Sequence, residues 1–243
     1  MWTIFRRELA ACVDLFLPPA CLLCRQLLTK DLDPHSFCHD CLADMPPLSS
    51  AHCSCCAQTF PGATSNHLCG DCLRRPPSFS MVHAAGPYQG SIKDAVHQLK
   101  YRNQLTLAKP LGQLLGKIVA ASGTGFAPDC IVPVPLHPHR LRQRGYNQAL
   151  ELARPISKDF NVPLDITLLQ RSRKTLQQQG LSATERKSNL RNAFTLALTS
   201  KTPAPKVLLV DDVMTTGETV RECCRILVEG GIKEVQVAII GRA

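Results

Sequence analysis

The apolar run Val207-Leu208-Leu209-Val210 ends at two adjacent carboxylates, Asp211 and Asp212, and leads through Val213-Met214 into Thr215-Thr216-Gly217-Glu218-Thr219. Carboxylates at the end of a buried strand can accept hydrogen bonds from sugar hydroxyls, and a Thr/Gly turn opening a helix can cradle a phosphate with its backbone N–H groups. Gly217 permits close backbone approach, while the hydroxyls of Thr215, Thr216 and Thr219 add donors. An acidic helix cap is the plainer account of Asp211 and Asp212. The complete string is much rarer than a cap and favours the phosphate site.

A second chemistry lies in eight cysteines arranged as C-x-x-C pairs: Cys21/Cys24, Cys38/Cys41, Cys53/Cys56 and Cys69/Cys72. They supply enough thiolates for about two closed, tetrahedral, structural zinc sites. The pairs can combine consecutively or interleave, and spacing does not choose between these arrangements. Cys55 is a substitute of poorer spacing for Cys53 or Cys56. Iron–sulfur ligation is the alternative, and the regular pairing favours zinc. Cys12, Cys130, Cys223 and Cys224 stand outside the knuckles and read as small buried residues rather than nucleophiles.

A third group follows Val132-Pro133-Val134-Pro135, where Arg140, Arg142 and Arg144 offer guanidinium groups suited to diphosphate oxygens. A solvated basic turn accounts for them equally well. His137 and His139 in the same stretch have no partner that the sequence identifies, so no catalytic acid or base is assigned.

These groups need a scaffold. Short apolar runs at 130–134, 207–210 and 235–240 fit buried parallel strands. Helical periodicity covers 91–101, 105–121, 146–159 and 216–229, with Pro110 early in or kinking the second segment and Pro155 kinking or interrupting the third. Alternating strands and helices specify an α/β sheet. Composition changes near Arg74-Arg75-Pro76-Pro77, dividing a cysteine-rich unit, residues 1–79, from an α/β unit, residues 80–243. Residues 171–191 are polar and read as a mobile loop, with a capping box at Ser182-Ala183-Thr184-Glu185 that can start a short helix.

The motifs also carry a resemblance. The strand-Asp-Asp-x-x-Thr-Thr-Gly-x-Thr string is similar to the phosphoribosyl diphosphate (PRPP) fingerprint of type I phosphoribosyltransferases. Val132 to His137 with Arg140, Arg144-Gly145-Tyr146-Asn147-Gln148, Leu99-Lys100-Tyr101-Arg102, and the block from Thr175 through Gln178, Gly180-Leu181-Ser182 and Glu185-Arg186 to Asn189 resemble the ComF family. With the knuckles, the likeness runs from about residue 21 to 241. It implies a type I phosphoribosyltransferase-like parallel sheet with flanking helices, preceded by a small double zinc ribbon. It further implies PRPP binding, with Mg2+, by Asp211, Asp212, Thr215, Thr216, Gly217 and Thr219. Arg140, Arg144, Gln178 and Arg186 are diphosphate or loop candidates. The implied role is DNA uptake during competence, or DNA utilisation, with single-stranded DNA and uptake proteins as partners. Salvage transfer to an unidentified base, or DNA binding without catalysis, are the alternatives.

Composition sets outer bounds. Apolar residues make up 44% of the chain and charged ones 19%, which permits a buried core. The formal charge of +9, about +5 once eight thiolates hold two zinc ions, favours phosphate-bearing partners. Aromatic residues are only 5%, too few for a dense stacking stripe. The apolar patch at 9–23 is broken by Asp14 and Pro18-Pro19 and is too short to span a membrane. With reduced thiolates and no signal-peptide pattern, the expected location is cytoplasmic.

Overall fold

The computed structural model describes residues 18–29, 32–33, 36–48, 51–172, 193–197 and 204–243. Its strands are β1 (Met81–Pro87), β2 (Cys130–Pro133), β3 (Leu169–Arg171), β4 (Phe194–Leu196), β5 (Lys206–Met214) and β6 (Glu234–Arg242). β1, β2, β5 and β6 form a parallel sheet in the order β1-β6-β5-β2, while β3 and β4 pair antiparallel. The helices are α1 (His39–Ala43), α2 (Gly70–Arg74), α3 (Gly90–Tyr101), α4 (Ala108–Ala121), α5 (Pro138–Arg144), α6 (Gln148–Phe160) and α7 (Glu218–Glu229).

β5 and β6 lie at the centre of the sheet and are apolar on both faces, as a sheet covered on both sides requires. Because side chains alternate along a strand, each strand feeds two cores. Val207, Leu209, Val235, Val237 and Ile239 pack on the side of α7, with Val220, Cys223 and Leu227. Leu208, Val210, Ala238 and Ile240 pack on the other side, against Ile92 and Leu99 of α3, Leu111 of α4 and Leu152 of α6.

The cysteine-rich segment divides between these cores. Cys21, Phe37, Cys41 and Met45 belong to the α3 side, and Cys53, Cys56, Cys72 and Phe79 to the α7 side. On the first side Asp44 accepts hydrogen bonds from Ser91 N (2.8 Å) and Ser91 Oγ (2.9 Å). It supplies the cap that Gln89, the N-cap residue of α3, does not provide itself.

Several boundaries differ from the sequence reading, for local reasons. α6 runs through Pro155 without interruption. A Cβ on Gly112 of α4 would collide with Pro155 and with the Leu152 carbonyl, so the bare glycine seats the proline against α4. α6 begins at Gln148 because Asn147 caps it, its Oδ1 accepting from Ala149 N at 3.1 Å. α7 begins at Glu218 because Gly217 is left-handed, with φ 79°. Pro110 is the third residue of α4, where a missing N–H costs little. The stretch that carries Arg140, Arg142 and Arg144 is the short helix α5. Beyond Ser172, the expected loop and the helix from Ser182, together with Gln178 and Arg186, lie outside the described residues. Among the described residues no helix is long and apolar enough to cross a membrane.

Candidate functional site

Asp211 pairs in register with Ile239, so the acid pair sits in the carboxyl half of a central strand that stays paired through Met214. The segment after β2 lies beside it, since Val134 N donates to Val210 O at 2.9 Å. Asn147 Nδ2 donates to Val134 O, also at 2.9 Å, which fixes the return of that segment into α6. Tyr146 Oη donates to Leu99 O and joins the same segment to the end of α3. These bonds carry Lys100, one residue on, to the acid pair.

Lys100 Nζ lies 2.8 Å from Asp212 Oδ1. Burial disfavours the ammonium, but Asp212 at contact distance and Asp211 nearby outweigh it, so its pKa is raised. Asp211 is the opposite case. Burial and the adjacent Asp212 carboxylate push its carboxyl up to about 7, against the opposing effects of the Asp212 backbone N–H (2.8 Å), Lys100 and Arg171. One carboxylate is therefore committed to an ion pair while its neighbour changes charge near neutrality.

Besides Lys100, Arg171 lies near Asp211, Arg140 lies near Arg171, and Arg144 lies near Arg140. Arg171 of β3 is buried, with its guanidinium 5.2 Å from the Phe194 ring centroid. Burial and Arg140 both push its pKa down. Arg140 is likewise lowered, by burial and by Arg144, and Arg144 stacks 5.4 Å from the Tyr101 ring centroid. Guanidinium groups that depress one another are stabilised by an anion, and a diphosphate offers several charged oxygens at once. His137 has a local structural role, its Nδ1 accepting from His139 N at 3.2 Å to cap α5.

The Thr215–Thr219 turn adjoins the acid pair. Gly217 supplies no side-chain acceptor as the N-cap of α7, which suits a helix end that receives an anion. A Cβ there would come within 2.5 Å of Met214 Cε, the movable end of a flexible side chain, so it is the left-handed φ rather than space that selects glycine. Thr215 and Thr216 line a cleft of about 450 Å³ with Gln58, Asp71, Arg221 and Arg242. Neither Asp211 nor Asp212 borders this cleft.

The cysteines resolve into two groups, Cys21, Cys24, Cys38, Cys41 and Cys53, Cys56, Cys69, Cys72, with ligand atoms all within 4.8 Å of one another in each. The pairing left open by the spacing is consecutive. Backbone N–H groups point at the sulfurs in both: Leu23 N and Cys38 N to Cys21 Sγ (3.4 and 3.3 Å), and Cys56 N and Cys69 N to Cys53 Sγ (3.4 and 3.3 Å). Despite burial, such donors bring Cys21 down to about 6 and Cys53 to about 7. Burial and neighbouring thiols push Cys41 and Cys72 up. Each set can ionise fully only around a cation, and four thiolates in a closed tetrahedron fit structural zinc. Cys55 is not a substitute ligand, for its Sγ turns to Phe79 O at 3.8 Å. Burial raises the thiols of Cys130, Cys223 and Cys224, which argues against a nucleophilic role.

Lys100, Arg171 and Arg242 were not singled out from the sequence. Lys100 lay within a family-like tetrapeptide, and Arg242 carried the more legible signal, a charge closing the otherwise mostly apolar run from Val235.

The chain matches the family described as Phosphoribosyl transferase domain over residues 147–242, and Double zinc ribbon domain over residues 12–73. It is 36% identical to DNA utilization protein YhgH of Escherichia coli, over 92% of this chain and 96% of that protein. It is 36% identical to Competence protein F of Haemophilus influenzae, over 72% of this chain and 78% of that protein. Competence protein ComFC of Streptococcus pneumoniae is 25% identical, over 89% and 96% respectively.

Proposed function

This chain belongs to the ComF family, which takes in competence protein F and the DNA utilization protein YhgH, and on that premise we propose a PRPP-binding protein acting in DNA uptake or utilisation. The observation that supports the ligand assignment is the acid pair of β5, Asp212 ion-paired to Lys100 and Asp211 near Arg171, shortly before the Gly217 turn, with Arg140 and Arg144 following from Arg171. A ligand with vicinal hydroxyls, a phosphate and a diphosphate matches that set of acceptors and donors.

In this reading Asp211 and Asp212 accept from the ribose hydroxyls, and Lys100 holds Asp212 in place between ligands. The Thr215–Thr219 turn takes the 5-phosphate, while Arg140, Arg144 and Arg171 face the diphosphate. Mg2+ carried by the ligand supplies further neutralisation of the diphosphate. The chain divides for this purpose into a ribbon unit, residues 1–79, and a transferase-like unit, residues 80–243. The reduced thiolates that zinc requires suit a cytoplasmic location.

Calorimetry with PRPP and Mg2+ tests the assignment. Asp211→Asn/Asp212→Asn removes the charge but keeps the shape, and the expected loss of affinity is about tenfold or more. Unchanged affinity in the folded, zinc-loaded double variant would overturn the ribose role. Diphosphate release across a panel of nucleobases then separates a transferase from a binding module.

A further inference from the structure

Arg242 closes β6 and is 7% exposed, an uncommon position for a guanidinium. Its Nε donates to Cys56 O at 3.0 Å, and its Nη2 to Gln58 Oε1 at 2.6 Å. Its Nη1 donates to Met214 O at 3.0 Å, to Thr215 O at 2.6 Å and to Ala243 O. One edge of the guanidinium thus grips the Cys53–Cys56 knuckle, and the other grips the two carbonyls leading into the Gly217 turn.

In a trans peptide the carbonyl and the next N–H point to opposite sides. With the Met214 and Thr215 carbonyls held on Arg242, the N–H groups of Thr215 and Thr216 face away from it. The Met214 carbonyl also accepts from Ala243 N at 3.0 Å, so at Thr215 N the guanidinium reinforces the backbone pairing, and its own contribution is to hold the Thr215 carbonyl and with it the direction of the Thr216 N–H.

A second tie reaches the start of α7. Arg221, whose N donates to Gly217 O at 2.8 Å, donates from its side chain to Arg75 O (2.7 Å), Asp71 Oδ2 (3.2 Å) and Cys72 Sγ (3.6 Å). Glu218 Oε1 meets Arg75 Nη2 at 3.2 Å. Among the described residues the first cysteine group has a different attachment, packing on the α3 side of the sheet and capping α3 through Asp44.

We infer that the second four-cysteine centre sets the shape of the Thr215–Thr219 turn, with Arg242 as the positioning residue and Arg221 as a second tie. The inference rests on the phosphate-binding reading only for what the turn holds. Zinc at Cys53, Cys56, Cys69 and Cys72 closes the knuckle that presents the Cys56 carbonyl and Gln58. Loss of that closure removes one edge of the clamp on the turn.

Amide hydrogen exchange of the ligand-free, zinc-loaded protein reads this directly. Arg242→Met is expected to speed exchange across Thr215–Thr219 about tenfold, to leave α4 unchanged, and to keep the wild-type zinc content. Arg242→Lys, with one donor group, restores part of the protection. Gln58→Ala, which removes one partner and leaves Arg242 in place, gives a smaller effect in the same segment. Cys69→Ser loosens the turn, whereas Cys24→Ser at the first centre does not. Wild-type exchange of the turn in both Arg242→Met and Gln58→Ala would overturn the inference. So would equal loosening by Cys24→Ser and Cys69→Ser, or loosening by Arg242→Met that spreads evenly through α4. Calorimetry on the same samples separates the two readings. Absent PRPP binding in the wild type counts against the ligand assignment alone, while about tenfold weaker binding by Arg242→Met supports both.

Discussion

Exchanging each acid of the Asp211-Asp212 pair separately should give opposite effects on stability. Asp212 Oδ1 lies 2.8 Å from Lys100 Nζ, with the side chains 11% and 20% exposed. At that distance and an effective permittivity of about 20 the attraction is about 6 kcal/mol, much of it offset by desolvation of the two charges. Removing one partner of a well-buried pair costs about 3–5 kcal/mol. Some exposure and the amide oxygen that Asn still offers to Lys100 reduce the expected cost of Asp212→Asn to about 2 kcal/mol. For Asp211 the sign reverses. Its carboxyl is held up at about 7, above the ordinary 3.8, so the folded chain binds more protons than the unfolded one between those values. Stability from this group is then lost as pH rises through that window. Asp211→Asn abolishes the loss, and the variant is at least as stable as the parent at about pH 8, with its advantage gone below about pH 4. Urea denaturation in reducing, zinc-containing buffer at several pH values measures both. Equal destabilisation by the two variants at alkaline pH, or a pH-independent difference between Asp211→Asn and the parent, would refute the division of labour within the pair.

Elemental analysis of protein purified under reduction is expected to find about two zinc ions per chain; iron, or no metal, would remove the zinc assignment. Ligand binding that draws Asp211 into its ionised form should release protons near neutral pH, giving calorimetric heats that depend on the ionisation enthalpy of the buffer; heats identical across buffers at about pH 6.5 would contradict this. Single-stranded DNA is expected to bind at low salt and to dissociate as salt rises, following the basic balance of the chain. No binding even at low ionic strength would remove direct DNA contact from the proposed role.

The parts of this architecture that were legible in the sequence are those decided locally. Val207–Val210 of β5 is a dense apolar run, the acid pair and then the Gly217 turn follow that run closely, and knuckle spacing identifies thiolate pairs whatever surrounds them. β1 was missed because Met81–Pro87 contains His83, Ala84, Ala85 and Gly86 and lacks a β-branched run; its strand state comes from pairing with β6. Lys100 was missed as a site residue for a related reason. Its partner is more than a hundred positions away, and it is the packing of α3 on the sheet, together with the Tyr146 bond to the Leu99 carbonyl, that brings the end of α3 to Asp212. Which knuckles share a metal was also a question of tertiary packing, answered once each ribbon joined a different face of the sheet.

The strand order has a consequence for how such a chain is made. β6 follows the other strands in the sequence, yet it lies between β1 and β5. Met81 pairs with Gln236, so roughly 150 residues must emerge from the ribosome before β1 acquires its neighbour. Until then the strand edges of β1 and β5 and much of both apolar faces have no cover, a condition that favours aggregation. The cysteine knuckles emerge first and need only local closure around metal, so they can fold during synthesis. When β6 inserts, Arg242 arrives with it and joins a preformed knuckle to the turn after β5. Metal supply during translation would then govern the yield of native chain as well as its final stability.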